Sequence, residues 1–272
     1  MDVPKQTVDF SAVRGDLIQV ANNATTDAIV TYLASPYPFN GSNYTANSTS
    51  ATSVTVGFSI SIASDIYVCV QNDNNANVTV TDDVGNTYAL AVTQFSHNLH
   101  NSIYHLDNVS NTAITSITAA GTNVANWTIE AFPMVNTTNP SLLSTATANG
   151  LVTTVNSTGT IGITLNSLSP INTVLNSICG TGIQQYNNYS SNFPLINDGG
   201  FIGTLNTFQS NASYGPVSKL TISEPVTCNY IVQTSAPSVT VGWNIVSVVI
   251  QAGFFPFYIT TPTSAVMLIK ML

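Results

Sequence analysis

Between Ser53 and Ile62 the chain alternates without a break: Val54, Val56, Phe58, Ile60 and Ile62 fall on one parity, and Ser53, Thr55, Gly57, Ser59 and Ser61 on the other. A period of two puts each set on its own face of an extended backbone, so this segment is a strand with one apolar face. The pattern recurs at Ile66, Val68 and Val70, at Val78 and Val80, and at Trp127, Ile129 and Ala131 against Asn126, Thr128 and Glu130. It returns near the end at Val239, Val241, Trp243 and Ile245. No window of helical period competes. Turn-forming stretches DDVGN (82–86), TANG (147–150), STG (157–159) and NDGG (197–200) punctuate the chain at strand-like intervals. The sequence therefore predicts an all-β protein, with Asn77, Asn126 and Glu130 on outward parities.

Laid beside itself, the chain repeats at an offset of roughly 105–116 residues, about the length of one β-sandwich. NSTSATSVTVGFSISIASDIYVCV (47–70) parallels NSTGTIGITLNSLSPINTVLNSIC (156–179), and NVANWTIEAF (123–132) parallels VTVGWNIVSV (239–248). TDDVGNTYALAVTQF parallels INDGGFIGTLNTFQS between these markers. The expectation is two tandem antiparallel jelly-roll-like β-sandwiches, at residues 23–137 and 142–252. Residues 1–22 are then an N-terminal arm or strand, and 253–272 an apolar C-terminal segment, either a docking tail or the final strands.

Charge narrows the function. Only 6% of the 272 residues are charged, and four Lys/Arg stand against twelve Asp/Glu, a formal −8 at neutral pH. Soluble domains ordinarily carry roughly a quarter charged residues. No basic patch can neutralise a phosphate backbone, so nucleic acid is excluded as a partner. Polarity comes instead from 31 Asn, 37 Thr and 29 Ser. A hydrophobic fraction of 44% is too high for a disordered chain.

Candidate chemistry is sparse. His97, His100 and His105 lie in HNLHNSIYH, which reads as a hairpin, with strands through Tyr88–Phe95 and Ile103–Leu106 and the six-residue polar loop SHNLHN between them, rather than as a converging zinc ligand set. Glu130 and Glu224 are the only glutamates, and Asp82–Asp83 opens a glycine-containing turn where Asp bonds nearby backbone. No nucleophile elbow, HExxH or P-loop is present. The expectation is no catalytic centre, no metal and no cofactor. Of the three cysteines, Cys69 and Cys179 hold equivalent places in the repeat; a Cys179–Cys228 disulfide within the second sandwich and three buried thiols are both open.

Eleven N-x-S/T acceptors occur, at Asn23, Asn40, Asn43, Asn47, Asn77, Asn108, Asn126, Asn136, Asn156, Asn188 and Asn211. Asn77 and Asn126 stand on outward strand parities, and Asn40, Asn43 and Asn47 cluster in one Ser/Thr-rich loop; sugars there would cover an uncharged surface. The first ten residues, MDVPKQTVDF, lack the charged-then-apolar pattern of a signal peptide. The apolar stretch from Ile245 to Leu272 is broken by Gln251, Pro256, Pro262 and Lys270, so no transmembrane span is expected. Its Phe254, Phe255, Phe257, Tyr258, Met267, Leu268 and Ile269 are candidate homo-oligomer contacts.

The VTDDVGNTYAL turn (80–90), the repeated Trp127 and Trp243 strands and the sequon loops resemble the turret and other exterior jelly-roll proteins of turreted icosahedral viruses of acidophilic, hyperthermophilic archaea. The resemblance implies a non-enzymatic virion-surface protein that assembles in symmetric copies with other virion proteins and contacts a host-surface receptor. An extracellular archaeal filament or surface layer built by strand exchange is the alternative, and a secreted carbohydrate-active enzyme a remote one. With every carboxylate protonated, four Lys/Arg and three histidinium ions would give a formal +7. Neutral hydrogen bonds and apolar burial persist under such acid; ion pairs do not.

Overall fold

The computed structural model describes residues 18–22, 27–34, 37–38, 44–60, 64–109, 113–135, 137–165, 172–181, 183–188, 196–204, 209–216 and 226–260. Among these residues there is no helix, and all strand pairings between named elements are antiparallel. The strands are β1 (Ile18–Asn22), β2 (Asp27–Ala34), β3 (Tyr37–Pro38), β4 (Tyr44–Gly57), β5 (Ser64–Asn72), β6 (Thr79–Asp82), β7 (Ala89–Ser96), β8 (Leu99–Val109) and β9 (Ser116–Val135). They continue with β10 (Thr137–Thr153), β11 (Thr158–Leu165), β12 (Thr173–Gly180), β13 (Ile183–Asn188), β14 (Ile196–Thr204), β15 (Gln209–Pro216), β16 (Val226–Thr234) and β17 (Thr240–Thr260).

One strand order recurs in the two halves. The first sheet runs β9-β5-β8-β7 and the second β17-β12-β15-β14. On the far side of β9 lies β4, and of β17, β10. The opposing layer of the first half is made by bending: β4 and β9 pair in register from Tyr44↔Ala131 to Ser48↔Trp127, shift at Ala51↔Ala125 and again at Ser53↔Ala120, and there the start of β9 also takes β6. In the second half the same layer is a separate sheet, β11-β16-β13. Turns at residues 154–157 and 235–239 replace the bends.

Trp127 fills the first bend. It is fully buried, and its indole Nε1 donates to the Ala51 carbonyl at 2.8 Å. Around it the alternation seen in the sequence becomes the first core: Val54, Val56, Phe58 and Ile60 of one layer face Ile66, Val68, Val70, Ile129 and Ala131 of the other. Ile62 lies outside the described residues. The second core joins Ile161, Ile163, Cys228, Tyr230 and Val232 to Val174, Ile178, Val241, Ile245 and Val249.

The two sandwiches also pack on each other. A third cluster unites Tyr67, Cys69, Ile103, Phe132 and Met134 of the first half with Leu175, Val246, Val248 and Ile250 of the second. The result is four stacked layers whose two middle ones pack against each other as well as into their own cores, so β12 is buried at all eight positions. This corrects the outward placement of Glu130. Parity puts it opposite Trp127 and Ile129 correctly, but that face is the joint between sandwiches, and Glu130 is fully buried.

The boundaries at 22/23 and 252/253 do not match the sheets. Residues 18–22 pair with β2, and β2 pairs with the end of β17 from Gly253↔Ala34 to Thr260↔Asp27. Residues 27–34 thus extend the second sheet, while β3 joins the first. The backbone of Phe254, Phe255, Phe257 and Tyr258 is therefore taken by strand β2 of the same chain, which corrects the docking-tail reading for 253–260; Met267, Leu268 and Ile269 lie outside the described residues. Pro256 pairs opposite Thr31, where β2 is the only partner strand of this part of β17 among the described residues, and a proline is tolerated at such an edge.

The two tryptophans differ in what they hold. Trp243 is half-buried against Gly150, whose added Cβ would meet the indole at 3.3 Å, and its Nε1 is buried without a hydrogen-bond partner. Trp127→Ala should cost about 3–5 kcal/mol in denaturant-unfolding experiments, the range for emptying a large aromatic site. Trp243→Phe should fall within about 1 kcal/mol of the parent, because it removes an unpartnered donor.

Candidate functional site

The joint between sandwiches is the part of the protein richest in buried polar chemistry. Strand parity supplies it: Tyr67, Cys69 and Gln71 of β5, Asn101 of β8, Thr128 and Glu130 of β9, Ser177 and Cys179 of β12, and Asn244 of β17 are all buried. Ser177 Oγ donates to Asn101 Oδ1 at 2.6 Å, and Asn101 Nδ2 donates to the Ser177 carbonyl at 2.9 Å. Gln71 Nε2 donates to Ser177 Oγ. Asn244 accepts from the Cys179 thiol at 2.9 Å and donates to the Leu99 carbonyl at 3.2 Å. Across one end of the joint, the Tyr67 hydroxyl bonds Ser141 at 2.7 Å, and Ser141 Oγ donates to Asp107 at 3.2 Å. Burial pushes the Tyr67 phenol well above its ordinary range.

The sequence-derived sites distribute around this joint without converging. The three histidines occupy the expected hairpin, but its turn is tighter than the six-residue loop read from the sequence: only His97 and Asn98 lie between β7 and β8, both with positive φ, at 53° and 61°. This is the geometry of a two-residue hairpin turn. His97 rests on β17, where a Cβ at Gly242 would come within 2.5 Å of its ring. His100 stacks on Phe95, with centroids 4.2 Å apart, and burial lowers its pKa. His105 pairs with Asp107 at 3.2 Å and stacks on Tyr67. Among the described residues no group of three potential ligands assembles.

All three cysteines are free thiols, which overturns the Cys179–Cys228 bridge. The reason is again parity. Cys179 faces the joint beside Leu99, with Leu175 and Ser177, whereas Cys228 lies in the second core with Val174 and Ile178 on the opposite face of β12. Burial raises all three thiols, Cys228 to about 11 and the other two further.

The sequons separate by exposure. Asn47, Asn77, Asn108 and Asn156 are exposed; Asn47 lies within strand β4 rather than in the expected loop. Asn126 is half-buried, and its carboxamide is engaged: Nδ2 donates to Asp73 Oδ2 at 2.7 Å, and Oδ1 accepts from Ser50 N at 3.4 Å. It borders an open depression of about 280 Å³ with Ser50, Asp73, Asn74, Val124 and Ala125. Asn188 and Asn211 fall in β13 and β15, and Asn23, Asn40, Asn43 and Asn136 lie outside the described residues. The acidic turn is structural. Asp82 accepts from the amides of Val84 and Asn86, and Asp83 from the amide and hydroxyl of Thr115, which hold its carboxyl below the usual range.

No family model matches the chain, and no curated protein matches it. Among solved structures it is similar to the major capsid protein P2 of bacteriophage PM2, at TM-score 0.26 and 10% identity over 80% of this chain and 98% of that one. It is also similar to oxalate decarboxylase from Bacillus subtilis, at TM-score 0.20 and 7% identity over 83% and 78%. Superpositions this loose establish no shared topology. Among the described residues no helix is long and apolar enough to cross a membrane.

Two measurements probe the joint. A thiol reagent should find no reactive cysteine in the native protein and three after denaturation without reductant; fewer than three would restore a disulfide. Asn101→Ala removes both bonds to Ser177 and should cost about 1–3 kcal/mol in chemical denaturation, the penalty for polar groups left buried without partners.

Proposed function

We propose that this chain is a non-enzymatic structural protein displayed on the outside of an archaeal virus particle, built of two jelly-roll sandwiches and assembling as a homo-oligomer. The observation that carries the reading is a solid block with an uncharged face: two sandwiches joined through a water-excluded interface, with Thr, Ser and Asn presented outward from both. In β4 the exposed positions include Thr45, Asn47, Thr49, Thr52 and Thr55; in β10, Thr145, Thr147, Asn149 and Thr153; in β11, Thr158, Thr160 and Thr164. Hydroxyl pairs tie neighbouring strands on this surface, Thr55 to Thr118 and Thr153 to Thr240, both at 2.8 Å. None of these groups titrates, so these strand faces stay the same from neutral pH into strong acid. Exposed sequons at Asn47, Asn77, Asn108 and Asn156 offer attachment points for a sugar layer that would meet the host.

The filament reading needs a free terminal strand to donate to a neighbour. Residues 253–260 already pair within their own chain, which counts against donation of that stretch to a neighbour.

Antibodies against the folded chain, used for gold labelling of purified particles, should decorate the particle exterior, and mass spectrometry of those particles should recover the protein, glycosylated first at the exposed sequons. A chain missing from purified particles, or confined to their interior, would refute the proposal.

A further inference from the structure

The joint ends in a step. Within it β8 lies over β12, where Asn101 bonds Ser177, and β7 lies over β17, with His97 on Gly242 and Val92 against the cluster of Val246, Val248 and Ile250. The strand after β17 is β10, so the position beside the outer edge of β7 is above β10. Among the described residues β7 pairs with β8 alone. On the joint face of β10, Thr145, Thr147, Asn149 and Leu151 are exposed, although Val248, Val246, Asn244 and Gly242, their partners in the ladder, are buried. Leu151 is 65% exposed, and Leu90 and Phe95 on the far face of β7 are 52% and 57% exposed. β7 (ALAVTQFS) has neither a charge nor a proline, the usual guards of a free edge. An unguarded strand edge thus forms the wall of the step, and an uncharged strand face its floor.

We propose that this step receives residues 265–271 of a second copy of the chain, added to β7 as an extra strand. Residues 261–272 lie outside the described residues, and the segment AVMLIKM is apolar on both parities except at Lys270. A single strand fits here and a second sheet does not. Because β10 projects beneath the position, joining β7 to the same edge of another copy would drive the two β10 strands into each other. Met267, Ile269 and Met271 cover the row on β10, while Val266 and Leu268 lie beside Leu90 and Phe95 with Lys270 at the rim. Reach makes the donor another copy. Ile250 packs in the cluster that takes Ala91 and Val92, and the rest of β7 runs from there toward Gly242. The ladder with β2 carries Thr260 ten residues past Ile250, about 33 Å at the rise of a strand. Ala265 lies five residues beyond Thr260, about 18 Å of chain at full extension, so a copy's own segment falls short of its own β7. The inference rests on the homo-oligomer proposed above, and not on where that oligomer is displayed.

Light scattering of the full chain over a dilution series tests it. The parent should self-associate, and Ile269→Asp and Leu151→Asp, each checked for native circular dichroism, should weaken association at least about tenfold, since each puts an unpaired carboxylate beneath the added strand. Leu151 is exposed within its own chain, so its replacement spares the fold. Disulfide trapping identifies the donor, because the native thiols are all buried. A Leu151→Cys chain mixed with an Ile269→Cys chain should give a bond joining positions 151 and 269 of different copies, and no such bond overturns the docking. In a chain carrying both substitutions the bond should again run between copies; a bond within one copy overturns the second-copy donor. Association unchanged in both aspartate variants overturns the docking and leaves the homo-oligomer standing, whereas a parent chain monomeric at every dilution overturns both.

Discussion

Everything in this architecture depends on burying the two middle sheets on both faces. A sheet in a simple sandwich needs one apolar face, and its other face is solvated. Here β5 packs Ile66, Val68 and Val70 into its own core and Tyr67 and Cys69 into the joint, and β17 does the same with Ile245 and Val249 against Val246 and Val248. Any polar side chain on the joint face is then cut off from water, and an unpaired one would cost about 1–3 kcal/mol. The Gln71–Asn101–Ser177 and Cys179–Asn244–Leu99 bonds answer that constraint from both sandwiches at once. Their geometry fixes how one sandwich sits on the other, since hydrogen bonds are directional where apolar contact is not.

The strands themselves were legible because alternation is a local signal. The buried parity of Val54, Val56, Phe58 and Ile60, the histidine hairpin and the Asp82 turn all follow from neighbouring residues. Glu130 was misread, and the choice between a disulfide and three buried thiols stayed open, for one shared reason: strand parity says which face a residue is on but not what covers that face. A signal was nevertheless present. The run Ile129–Val135 carries Phe132 and Met134 on the parity of Glu130, and Ile66–Val70 is apolar on both parities. Strands apolar on both faces are covered on both. Pairing of β2 with the end of β17 had no such signature, because it joins segments more than two hundred residues apart through backbone groups.

Composition and architecture support each other physically. With few charges available, the hydrogen bonds among Gln71, Asn101, Ser177, Cys179 and Asn244 are made by amides, hydroxyls and a thiol, whose bonds do not depend on pH. Asp83 is one place where acid should be felt: its carboxyl is held below the usual range by Thr115, so the stability it adds is present above the unfolded-state pKa and lost as pH falls through the lowered one. That site lies on the surface, away from the joint.

Mechanically, the pairing of β2 with the last residues of β17 makes a fuse. Because β2 runs antiparallel to β17, Asp27 and Thr260 sit side by side at one end of their ladder, with Ala34 and Gly253 at the other. Tension applied at Asp27 and Thr260 loads the ladder in the unzipping direction, so its hydrogen bonds open one after another at low force. The ladders of β12 and β10 with β17 lie behind it and are reached only once that zipper has run to Gly253. A pull applied at those two residues would therefore lengthen the molecule in a small step before either core carried load.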